Sequence, residues 1–74
     1  MKNLKVIPFA DQYYPQHTKV AVVPATFYRA EMLVALSGDT LLAWDHVSGH
    51  FFPVRGFELR PSHIEAAKRA LRGE

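Results

Sequence analysis

The chain contains no cysteine, and at 74 residues that absence removes the disulfide framework on which many domains of this size depend. Packing alone has to hold it together. A thiolate zinc site is excluded with the cysteines, and a reducing, cytoplasmic setting is the natural expectation. Hydrophobic residues make up 49% of the chain and charged residues 22%, enough apolar material for one core and too little charge to keep the chain open by self-repulsion. The length admits one domain and rules out a second. Apolar runs are only a few residues long, and Met1 to Ala10 lacks both the apolar stretch and the cleavage site of a secretion signal, so no membrane role is expected.

Punctuation by proline and glycine divides the chain. Residues 1–17 hold Pro8 and Pro15 around one short apolar run and read as an extended, flexible N-terminal arm. Residues 18–74 form the domain. Val20 to Val23 is a β-branched strand stopped by Pro24. Residues 26–37 fit two templates: Arg29 to Leu33 are good helix formers, whereas Met32, Val34 and Leu36 alternate as in a strand. The turn signal Ser37-Gly38-Asp39, followed at once by Thr40-Leu41-Leu42-Ala43-Trp44, favours a hairpin, although a helix here would leave a smaller sheet packed between two helices. Asp45 to Gly49 is turn chemistry again, and His50 to Val54 is a strand whose Pro53 assigns it to an edge or a bulge. Phe57-Glu58-Leu59-Arg60 alternates as a last short strand.

A helix over about residues 63–72 closes the chain, with Ser62 and Glu65 as a capping box and Gly73 where a C-cap belongs. Ile64, Ala67 and Leu71 share its apolar face. About ten residues cannot sustain an isolated helix, so that face must dock on the sheet. The expected fold class is mainly β: a small antiparallel barrel with an N-terminal arm and a C-terminal helix.

The residues that carry chemistry are sparse. The histidines nearest one another, His46 and His50 beside Asp45, are separated by Ser48 and Gly49 in a turn, so no metal is expected. Ser37 and Ser48 fall in turns and Ser62 at a helix start, and there is no nucleophile elbow or glycine-rich phosphate loop. Neither an enzyme nor a bound cofactor is expected.

What the sequence does hold in excess is aromatic rings. Nine of them are more than a domain of this size can bury, and the neighbours Phe51 and Phe52 must point to opposite faces of a strand. The net charge of +2 is gathered late, with five bases against three acids after residue 45. Surplus rings beside basic residues suit docking. Two classes satisfy this: a protein-binding regulator, favoured because acids dilute the basic residues, and a nucleic-acid-binding module that stacks rings on bases. The candidate contact residues are Lys5, Ile7, Phe9, Tyr13 and Tyr14 in the arm, with Phe51, Arg55, Arg60, Lys68, Arg69 and Arg72 in the domain.

Phe27-Tyr28-Arg29-Ala30, Gly38-Asp39, Ala43-Trp44-Asp45, Gly49 and Leu59-Arg60-Pro61 together resemble the pattern of Tudor-like domains in the SH3-like small-barrel group. That similarity implies a strongly bent five-stranded antiparallel barrel. His46-Val47 stand where the pattern has a loop tyrosine, which leaves a methyl-cation cage incomplete. As a whole, this short, cysteine-free, mildly basic chain opening Met1-Lys2-Asn3-Leu4-Lys5-Val6-Ile7-Pro8-Phe9 resembles the small transcription regulators that phages of Xanthomonas direct against their host. This likeness implies binding to bacterial RNA polymerase near the β′ N-terminus and the β flap, with inhibition of initiation and promotion of antitermination; the chain itself is expected to be a monomer. Its arm would become ordered on the polymerase.

Overall fold

Proline places both edges of the sheet. In the computed structural model, which describes residues 4–10, 18–56 and 58–74, the strands are β1 (Lys5–Phe9), β2 (Thr18–Val23), β3 (Met32–Ser37), β4 (Thr40–Asp45) and β5 (His50–Pro53). They form one antiparallel meander in the order β1-β2-β3-β4-β5. The two outer strands are those that carry a proline, Pro8 and Pro53, where a missing N–H can face solvent without breaking a ladder. The helix α1 (Pro61–Arg72) follows.

The mainly β class with a C-terminal helix is therefore as expected, with two differences in how its parts are used. Residues 5–9 are not an arm: β1 pairs along its whole length with β2, from Lys5 opposite Val22 to Phe9 opposite Thr18. Pro8 is tolerated because the strand is an edge. The domain thus begins before residue 18, and Tyr13, Tyr14 and the rest of residues 11–17 lie outside the described residues. Glu58 to Arg60 are not a strand, despite their alternation. They turn instead, with the Glu58 N–H donating to the Arg55 carbonyl at 3.0 Å and the Arg55 N–H donating to the Glu58 carboxylate at 3.0 Å. Leu59 is thereby drawn into the core rather than into a ladder.

Register assigns the side chains to two faces. Ala21, Val23, Val34 and Leu41 lie on the face that α1 covers and form the main core with Leu59 and Ala67. Ile64 and Leu71 pack against it. Burying an Ile or Leu side chain stabilises by about 1.5–3 kcal/mol, which is how a helix of this length is held. The opposite face buries Val20 and Ala35 and carries a cluster of three rings. Phe9 on β1 lies 4.7 Å from Trp44 on β4 and 5.5 Å from Phe51 on β5, centroid to centroid, and Trp44 lies 5.0 Å from Phe51. The first strand of an open sheet touches the last two only if the sheet curls, so these edge-to-face contacts close the concave side like a barrel without a β1–β5 ladder.

Turn chemistry fixes the hairpins. Gly38 has φ +61° and Asp39 does not take a positive φ, the pattern of a two-residue type II′ turn that suits strand twist. The helix starts two residues earlier than a Ser62–Glu65 capping box requires. Pro61 is its first residue and Arg60 its N-cap, with no side-chain cap, because proline's fixed φ already suits the first helical position. At the other end Gly73, at φ +81°, donates to the Ala70 carbonyl and Glu74 to the Arg69 carbonyl, a Schellman closure.

Lys68 and Arg72 reach from α1 to Asp39 in the β3–β4 turn, Arg72 at 2.5 Å and Lys68 at 4.0 Å. Asp39 is largely exposed, so solvent and salt screen the pair. Asp39→Ala should cost at most about 1 kcal/mol. Urea unfolding at low and high salt checks this, and the difference between wild type and variant should shrink as salt rises.

Candidate functional site

Because α1 packs chiefly over β1, β2 and β3, it leaves the β4–β5 end of the same face less covered. Met32, Ala43 and Phe52 share that end by register, and Phe52 is half exposed. This less covered surface is the floor of an open groove of about 1400 Å³. It is a trough on the sheet with two walls, residues 26–31 and residues 55–56, 58–61 and 63.

The first wall is a small, tightly bonded turn. Thr26 and Arg29 face each other as an isolated bridge, the Thr26 N–H donating to the Arg29 carbonyl at 2.7 Å and the Arg29 N–H donating back at 3.4 Å. The Thr26 hydroxyl accepts the Tyr28 N–H at 3.3 Å. The Arg29 guanidinium donates to the carbonyls of Pro24 and Ala30 at 3.3 and 3.1 Å and straps the loop across its base. At the tip stand Phe27 and Tyr28, 95% and 93% exposed, their rings edge to face at 5.4 Å. Both rings are thus presented to solvent on a backbone that its own hydrogen bonds define.

The second wall carries Arg55, Arg60 and His63 and ends at the start of α1. That helix has no acidic residue in its first turn and no side-chain cap, so its partial positive charge adds to that of the arginines. Of the groove's acids, Glu58 already accepts the Arg55 N–H. Asp45 is taken up by the β4–β5 turn: its carboxylate accepts the Val47 N–H and the Ser48 hydroxyl, each at 3.0 Å, while Gly49 donates to its carbonyl. Glu31 completes the set.

Those bonds to Val47 and Ser48 hold the Asp45 carboxyl below the ordinary aspartate range. A carboxyl with a lowered folded-state pKa favours folding fully above its unfolded pKa of about 3.9, and the contribution is lost as pH falls through the folded value. In an NMR titration the Asp45 side chain should protonate below that unfolded value, with the Val47 amide shift following the same curve. A Val47 amide that does not follow Asp45 would contradict the turn geometry.

The expected contact residues do not form one patch. Arg55 and Arg60 come together in the groove wall. Lys5 is exposed on β1, and Ile7 is half-buried on the concave side with Phe9 and Phe51, which belong to the ring cluster. Of the Phe51–Phe52 pair, Phe52 is the outward ring. Lys68 and Arg72 are engaged with Asp39, and Arg69 is exposed in the last turn of α1. The residues that sequence reasoning passed over as contacts are Phe27 and Tyr28. Their signal was two adjacent rings beside Thr26 and Pro24, which a strand or helix template absorbs and a turn exposes.

Among the described residues no three His, Asp or Glu side chains gather as metal ligands, and no helix is long and apolar enough to cross a membrane. Compared with protein-family models, with characterised proteins and with solved structures, the chain matches none.

Proposed function

We propose that the chain is a non-enzymatic, phage-type transcription regulator of the host cytoplasm that binds bacterial RNA polymerase, inhibiting initiation and promoting antitermination. The observation that carries the binding role is the Phe27–Tyr28 turn, two solvated rings on a hydrogen-bonded support. Ordering such a pair costs little on association because the fold has already fixed their backbone. Large rings held in this way are the usual anchors of protein interfaces. The choice of polymerase comes from the likeness of the whole chain to phage regulators of transcription. A binder that favours some polymerase states over others needs no chemistry of its own to shift initiation or termination.

Size-exclusion chromatography with purified bacterial RNA polymerase holoenzyme should show co-elution, and transcription in vitro should show fewer promoter-initiated products with more read-through at intrinsic terminators. Absence of association, together with nucleic-acid binding that falls steeply with salt, would favour the nucleic-acid module instead.

A further inference from the structure

We infer that the groove is a self-association surface: the chain is a monomer when dilute and, when concentrated, a two-fold dimer in which each copy lays its Phe27–Tyr28 turn against the groove of the other. This does not depend on which partner the chain regulates. Among the described residues four large apolar side chains stand exposed, and three of them, Phe27, Tyr28 and Phe52, border the groove. An aromatic side chain can bury about 150–250 Å², so two nearly bare rings and one half-bare ring offer on the order of 400–600 Å² per copy. A second copy brings the same rings in return, and the pair reaches about 1000 Å², where specific interfaces begin.

Charge, counted in full, matches this surface to itself. The second wall carries Arg55 and Arg60 against Glu58, a formal +1. The opposite side carries Arg29 against Glu31 and Asp45, because β4 ends beside the start of β3, and is a formal −1. A two-fold rotation sets the positive wall of each copy over the negative side of the other, so both contacts attract. A polyanion or a polycation meets both signs and gains from neither. Bonding within the chain agrees with the count. Arg29 is strapped to backbone carbonyls, Asp45 is held in its own turn and Glu58 receives the Arg55 N–H. Glu31 and Arg60, one on each wall, are exposed, and among the described residues neither side chain has a hydrogen bond or ion pair. Across the axis each would face the other twice. The dimer covers the rings assigned to the partner, so self-association and partner binding exclude each other.

Sedimentation velocity on the whole chain from about 1 μM to about 1 mM should pass from monomer to dimer, since interfaces at this small end of the range are weak. Phe27→Ser combined with Tyr28→Ser should raise the dissociation constant by roughly tenfold or more. Glu31→Arg and Arg60→Glu, each alone, should raise it by roughly tenfold as well, because either one places like charges at both contacts. Mixed in equal amounts, those two variants should recover the dimer, for both contacts across the axis then join opposite charges. All four positions are exposed, and an acid at the start of a helix does not harm it. A chain that is still monomeric at the highest concentration, a dimer indifferent to loss of the two rings, or charge variants that fail to recover it on mixing would each overturn the inference. Polymerase takes no part in these measurements. Their failure leaves the proposed function standing, and a chain that dimerises without binding polymerase refutes that function and keeps the dimer.

Discussion

Replacing Phe27 and Tyr28 together by serine should leave the unfolding free energy unchanged within about 0.5 kcal/mol and weaken partner binding by roughly a hundredfold or more. The first half follows from exposure. Rings 95% and 93% solvated contribute almost nothing to folding through burial, and the bonds that shape their turn come from Thr26, Arg29 and the backbone, which the substitutions spare. The second half follows from what such rings gain when covered. Each can bury on the order of 150–250 Å² at an interface, and truncation of a central aromatic anchor costs about 2 kcal/mol or more. Denaturant unfolding and a binding isotherm on the same preparations read both quantities. A large loss of stability would show that the rings serve the fold, and binding unchanged by the double substitution would remove them from the interface.

Phe9→Ala should have the opposite signature, lowering stability by about 3 kcal/mol out of the roughly 4–11 kcal/mol available to a domain of this size. Phe9 touches both Trp44 and Phe51, so its ring joins the first strand to the last two across the concave face. Removing it forfeits burial and two edge-to-face contacts together, and it loosens the curl of the sheet. The melting temperature should fall by roughly 10–20 °C, with Trp44 fluorescence moving to longer wavelength as the cluster opens. An N-terminal arm free of the domain would predict no change in either, so the experiment also decides between an arm and a strand for residues 5–9.

Where sequence signals were local and strong, they specified the structure. Pro24 stops β2 at Val23, Gly38 makes the β3–β4 turn, Gly73 closes α1, and Ile64, Ala67 and Leu71 point to the sheet as their spacing requires. Where two local signals competed, the stiffer won, as Pro61 shows by starting the helix ahead of Ser62. What stayed hidden depended on partners distant in sequence. Lys5–Phe9 is a strand because β2 is beside it, and Phe57 to Arg60 has comparable alternation but a turn at Glu58 and a core contact at Leu59. Opposite orientations for Phe51 and Phe52 were legible, whereas which ring is inside follows from the pairing of Phe51 with Trp44 and of Phe52 with Ala43. The groove was hidden for the same reason, since it exists where the helix covers the sheet less.

The link between fold and binding is that one set of rings closes the concave face while another is left outside on a fixed turn. Hydrogen exchange of the chain, free and bound to RNA polymerase, tests this most directly. Protection gained on binding is predicted over residues 26–31 and 50–60, with the helix end around Arg69 unchanged. Protection confined to residues 37–40 and 68–74, or none at all in a complex that has demonstrably formed, would contradict it.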